Sequence, residues 1–125
     1  WPYFHMLMMQ QGMPIDIHPE QPNYYNLLHV DDYIEKIPYL LAAATQEVTT
    51  INFGGSEKTS IEQWCAYITE LTGFEAVFNH NPKAFGSLCI DTTKMHDLLG
   101  ETSVTWREGI KRQLTALSPD LLKAS

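Results

Sequence analysis

A chain of 125 residues with 44% hydrophobic and 18% charged residues is long enough to bury one core and too apolar to stay disordered, so it reads as a single domain. Its net charge of −7 comes with basic residues that are scattered along the chain, which leaves no basic stripe to track a nucleic-acid backbone. Cys65 and Cys89 lie far apart with no Cys-x-x-Cys spacing, and the longest aliphatic stretch, Tyr39 to Ala44, is far short of a bilayer span of roughly 20 residues. Disulfide framework, zinc knuckle and membrane span are therefore set aside, and free thiols suit a reducing cytoplasm.

Phe4, Leu7 and Met8 recur at helical spacing and predict a helix from Tyr3 to Gln11, stopped by Gly12 and Pro14. No basic n-region or small-residue cleavage site marks a secretory signal, and a chain that opens at Trp1, directly in an apolar helical pattern, is expected to be a piece of a longer protein. Ile15 and Ile17 alternate with Asp16 and His18 as in a half-buried strand, and His18 to Asn23 form a turn-rich loop. A second short strand is expected from about Tyr25 to Val30. Asp31 and Asp32 stand where an N-cap belongs, ahead of a helix through Ile34, Ile37, Leu40, Leu41 and Ala44 that carries Pro38 inside it.

Val48 to Phe53 is a β-branched run expected to form a strand, ending in Gly54-Gly55. Thr59-Ser60-Ile61-Glu62 supplies a capping box for a helix with Ile61, Trp64, Cys65, Ile68 and Leu71 on one face and Gly73 at its end. Glu75 to Asn79 and Phe85 to Ile90 read as short strands around an Asn81-Pro82 turn. Asp91 caps a short helix to Leu99 that Gly100 ends. Thr105-Trp106-Arg107-Glu108 is another capping box, opening a helix through Ile110, Leu114 and Leu117, and Ser118-Pro119 starts a last turn. Many short strands among helices, with no long sheet, predict an α+β fold.

Chemistry-bearing patterns are sparse. The five histidines make no His-x-His or His-Glu-x-x-His pair, so a metal site is not expected. His29-Val30-Asp31-Asp32 could hold an acid/base pair, but a strand end followed by helix-capping aspartates accounts for it. Gly54-Gly55-Ser56-Glu57-Lys58-Thr59 has the wrong spacing for a Walker loop, and Glu57 would repel an anion beside Lys58. Trp1, Tyr3, Phe4, His5 and the methionines Met6, Met8 and Met9 could line a pocket or simply form helix core. The same Met-rich helix leaves open an interaction or assembly domain.

Leu28-His29-Val30-Asp31-Asp32-Tyr33, Ile51-Asn52-Phe53-Gly54-Gly55, Thr59-Ser60-Ile61 and Asp91-Thr92-Thr93-Lys94 through Leu99-Gly100 together resemble the extended short-chain dehydrogenase/reductase family, the NAD-dependent epimerases, dehydratases and related reductases. The resemblance covers about Trp1 to Leu114 and implies a C-terminal substrate-binding portion, residues 1–125, that packs on an N-terminal Rossmann domain absent from this sequence. That domain would carry the glycine-rich loop for NAD or NADP and the Tyr-x-x-x-Lys pair. Neither motif occurs here, so no catalytic or cofactor-binding residue is expected in this chain alone.

The resemblance further implies substrate contacts from Trp1, Tyr3, His18, Tyr25 and His29, with Lys83 as a further candidate. Members acting on nucleotide-diphosphate sugars usually carry an arginine where this chain has Tyr25, so a less charged sugar or other hydroxyl or carbonyl compound is expected. The partners implied are a small-molecule substrate, the Rossmann domain and a homodimer mate, with no nucleic acid and no membrane. A freestanding small-molecule-binding or interaction module derived from the same family is the alternative.

Overall fold

The computed structural model describes residues 1–124, and among these five helices carry most of the regular structure. Four strands of two or three residues pair into two separate two-stranded sheets. The α+β class expected from the sequence is the class observed.

Helix α1 (Pro2–Gln10) has its proline at the start, where a missing N–H costs nothing, and buries Met6 and Met9. Strand β1 (Ile15–Ile17) turns both isoleucines inward and Asp16 outward. It pairs in parallel with β4 (Phe78–His80), while β2 (Tyr24–Tyr25) pairs antiparallel with β3 (Thr59–Ser60). Helix α3 (Ile61–Thr72) is the centre of the molecule, with Trp64 and Ile68 fully buried and Gly73 closing it in the left-handed region at φ 84°. Helix α5 (Trp106–Leu117) adds Ile110 and Leu114, and α1, α3 and α5 pack on one another and over β1 as one core. A 3-10 turn at Pro119–Leu121 follows where Ser118-Pro119 is expected to restart the chain.

A smaller unit stands beside this core. Helix α2 (Val30–Ala42) packs on α4 (Thr93–Leu99), with Met95 and Leu99 buried beneath. Asp32 ties α2 to the loop between α4 and α5: its carboxylate accepts the backbone N–H groups of Ser103 at 2.7 Å and Val104 at 3.0 Å.

Several local expectations shift. The cap of α2 is His29, whose ring accepts the Asp31 N–H, and both aspartates lie inside the first turn. The capping box of α3 is Ser60 with Gln63, one residue later than Thr59 with Glu62. Thr92, with no side-chain cap bond, precedes α4, while Asp91 accepts the Thr93 N–H at 2.9 Å. The strand expected over Tyr25–Val30 is only Tyr24–Tyr25, and that over Glu75–Asn79 lies at Phe78–His80. Among the described residues Val48–Phe53 joins no ladder, and Phe85–Ile90 makes a single parallel bridge, Leu88 to Tyr25. A β-branched run becomes a strand only where a partner edge exists, and among the described residues none pairs with Val48–Phe53.

Candidate functional site

A cleft of about 610 Å³ opens between the start of α1, the segment 27–31 and α5, within the size range of small-molecule sites. Its walls are apolar, from Leu27, Trp106, Ile110 and Leu117, and its polar groups are His29, Asp31, Arg112 and Gln113. Trp1 closes one end.

The position of His29 follows from the helix it caps. Its Nδ1 accepts the Asp31 N–H at 3.1 Å, which leaves the ring proton to Nε2. The ring also lies against Gly109, where an added Cβ would stand 3.3 Å from Cδ2. Arg112 is held by two carboxylates, Nη1 donating to Asp31 and Nε to Glu108, each at 2.9 Å. A guanidinium so paired has little charge left for an anionic ligand.

Beside the cleft, Trp1 meets two further aromatics. Its ring stands edge-on to Tyr25 at 5.2 Å and stacks on Phe85 at 6.3 Å. Tyr25 is buried and its hydroxyl donates to the carbonyls of Phe85 and Gly86 at 3.1 and 3.0 Å, which pins that segment beneath Trp1. Burial, then the nearby Glu62 charge, pushes the Tyr25 phenol above its ordinary value, so it stays a neutral donor. The platform suits stacking and one or two hydrogen bonds rather than charge neutralisation.

Of the residues singled out in the sequence, Trp1 and His29 share the cleft and Tyr25 joins them through Trp1. His18 lies by Gly86, at the far side of the Tyr25-held segment. Tyr3 faces elsewhere, its hydroxyl bonded to Ser118 at 2.9 Å, and Lys83 is exposed outside the cleft. Sequence reasoning missed Phe85 and Arg112. The four-residue spacing from Glu108 to Arg112 was a visible helix pair, but nothing local places it against Asp31.

Two other groupings have structural explanations. Ser56 and His96 are 2.8 Å apart, yet the same hydroxyl accepts the Thr102 N–H at 2.9 Å, so it ties the loop after Gly55 to the one after α4. The glycines at 54 and 55 are filled in by the fold: an added Cβ would run into the Ile90 side chain at the first and the Leu27 carbonyl at the second. No phosphate could use that turn as a cradle. Among the described residues, no group of three or more His, Cys, Asp or Glu is placed to hold a metal, and no helix is long and apolar enough to cross a membrane.

In fold, these residues are similar to a portion of the NAD-dependent epimerases and dehydratases, the kind of protein that the sequence resemblance points to. No protein-family model and no curated protein matches the chain. The solved UDP-glucuronic acid 4-epimerase of Bacillus cereus, in complex with NAD, matches 99% of it at 19% identity and a TM-score of 0.71. The UDP-glucose 4-epimerase of Thermotoga maritima, with UDP-glucose, matches 96% at 23% identity and a TM-score of 0.75. An NAD-dependent NDP-hexosamine 5,6-dehydratase of tunicamycin biosynthesis matches 88% at 16% identity and a TM-score of 0.66. The chain spans 39%, 40% and 36% of those three proteins. At these identities the likeness is one of fold.

Proposed function

We propose that this chain is the substrate-side portion of an NAD(P)-dependent epimerase, dehydratase or reductase acting on a sugar or another hydroxyl or carbonyl compound. NAD or NADP is held by a Rossmann domain outside these residues, and the chain is not catalytic alone. The observation that carries this reading is the fold likeness, which takes in nearly the whole chain but about two fifths of each epimerase it matches. The blocked glycine pair at 54 and 55 supports it too, since it leaves no cradle for a dinucleotide here.

The cofactor, when bound, supplies hydride transfer. This chain's own residues bind and orient the substrate. Trp1 and Tyr25 offer ring surfaces, His29 offers its Nε2 hydrogen, and His18, Tyr3 and Lys83 stand further out. The cleft's arginine is already paired, so a neutral or weakly polar substrate fits better than a diphosphate. The protein works in the cytoplasm, where the exposed Cys89 thiol stays reduced, and a homodimer of the longer protein belongs to the same reading.

Calorimetry on the longer polypeptide that contains this chain, and on the 125-residue chain itself, tests the proposal. Stoichiometric NAD or NADP binding is expected for the first and none for the second. Tight stoichiometric binding by the short chain would overturn it. The alternative reading is a freestanding small-molecule-binding module that uses the same cleft. Saturable binding of a neutral sugar by the chain alone, with no cofactor-binding partner encoded beside it, would decide for that alternative.

A further inference from the structure

Helix α1 carries one imidazole among its methionines, and that ring belongs to a closed circuit of contacts. The His5 backbone N–H donates to the Trp1 carbonyl at 2.9 Å, one helical turn back. Its ring Nδ1 accepts the Trp64 indole N–H at 3.0 Å, with the two rings stacked at 5.7 Å. Trp64 in turn meets the Tyr25 ring at 5.8 Å, and Tyr25 stands edge-on to Trp1, where the circuit began. Each member is therefore held from two sides.

The circuit runs from the core to the surface. Trp64 is fully buried, so its indole N–H needs a protein acceptor, and His5 Nδ1 is that acceptor. A leucine or phenylalanine would occupy the core with no such demand; the polar pair adds a fixed direction that apolar packing alone leaves looser. Trp1 and Phe85 stand at the other extreme, 58% and 77% exposed, where packing does little to hold a ring. They are held from beneath. Tyr25, braced on its inner side by Trp64, sets the Trp1 ring and grips the carbonyls of Phe85 and Gly86 with its hydroxyl.

We infer that His5 and Trp64 are positioning residues of the cleft: the hydrogen bond between them fixes the Trp64 ring, and through Tyr25 it places the Trp1 and Phe85 rings that a substrate meets. Neither residue lines the cleft itself. Their part in substrate binding rests on the proposed function, whereas the order that they impose on Trp1 does not.

Fluorine NMR of protein labelled with fluorotryptophan tests the circuit, on the 125-residue chain and on the longer polypeptide that contains it. The chain's three tryptophans give separate lines, assigned by Trp→Phe replacement. His5→Phe keeps a ring against Trp64 and removes the acceptor, whereas His5→Asn places a carbonyl oxygen where the imidazole carries Nδ1. The Trp1 line should move toward its position in urea in His5→Phe and return in His5→Asn. Trp106, packed on Tyr67 and Arg107 outside the circuit, should keep its line throughout. The dissociation constant of methyl β-D-glucopyranoside, a neutral sugar, should rise by about 3- to 10-fold in His5→Phe, because a freed ring must be ordered again on binding. If His5→Phe fails to fold, Trp64→Phe, which deletes the donor, should free the Trp1 line in the same way, and adding His5→Phe to it should change nothing more.

A Trp1 line unmoved in His5→Phe would overturn the inference. So would Trp1 and Trp106 lines that move together, because His5 would then serve stability alone, and so would a further shift when His5→Phe is added to Trp64→Phe. The sugar titration separates the two levels. Equal affinity in His5→Phe and the unmodified protein sinks the positioning role and leaves the functional proposal standing; a Trp1 line that follows His5 in a protein that binds no sugar upholds the circuit and removes the neutral-sugar reading.

Discussion

At Gly55 the methyl group of an alanine would collide with the Leu27 carbonyl, a backbone atom that cannot rotate away. Gly55→Ala should therefore lower stability by about 1–3 kcal/mol, the range for overpacking, while Gly86→Ala, whose nearest neighbour would be His18 at 3.9 Å, should be close to neutral. Urea denaturation of the two variants checks the contrast. His5 is a second residue whose surroundings decide its behaviour. It accepts the Trp64 indole N–H at 3.0 Å and stacks on that ring, and burial, helped by the amino-terminal charge, pushes its imidazole down from 6.5 to about 4. The unfolded chain then takes up a proton first as the pH falls. The contribution of His5 is whole above about pH 6.5 and is lost progressively toward pH 4. Denaturation midpoints at pH 7 and 4.5 should fall for the native chain, and should fall less for His5→Gln, which keeps an acceptor but does not titrate. Equal falls would assign the acid sensitivity elsewhere.

For the helices, most of what the structure shows was legible beforehand, because caps and the 3.6-residue period are local signals. The errors are instructive in the same terms. Thr59-Ser60-Ile61-Glu62 and Ser60-Ile61-Glu62-Gln63 both satisfy the capping-box pattern, and the structure uses the second, with the Ser60 hydroxyl accepting the Gln63 N–H. Ser60→Ala should accordingly cost about 1 kcal/mol as a lost cap. Asp31 and Asp32 looked equivalent as caps and are not. Asp32 satisfies two backbone N–H groups in a buried setting, so Asp32→Ala should cost about 2–3 kcal/mol through the orphaned donors. Asp31 makes an exposed pair with Arg112, so Asp31→Ala should cost under about 1 kcal/mol. Thermal melts of the two variants separate these cases, and similar losses would contradict the assignment. Strands were less legible, since β1 finds its partner 63 positions on, from Ile15 to Phe78. No local pattern announces such a pairing. The site shared that difficulty: Trp1 and His29 were visible, but the meeting of Trp1 with Phe85 and of Arg112 with Asp31 is a product of the whole fold.

Across the whole molecule, two units differ in how they are held. The core of α1, β1, α3 and α5 is continuous, whereas α2 and α4 stand outside it on a small patch of their own, with Asp32 tying α2 to the loop that leads into α5. Native-state hydrogen exchange should show α2 opening at lower free energy than α3, with amides of Trp64 to Ile68 lasting until global unfolding. Comparable protection of both helices would mean that the chain unfolds as one unit. The closing bond of the larger core, from the Tyr3 hydroxyl to Ser118, has a consequence for synthesis. Helix α1 leaves the ribosome before either helix that covers Met6 and Met9 has been made, and α5 follows roughly a hundred residues later, about 5–20 s at ordinary translation rates. Through that interval its methionine face is open to whatever binds apolar helices on a nascent chain, so the yield of folded protein should depend on chaperone supply even where the finished fold does not.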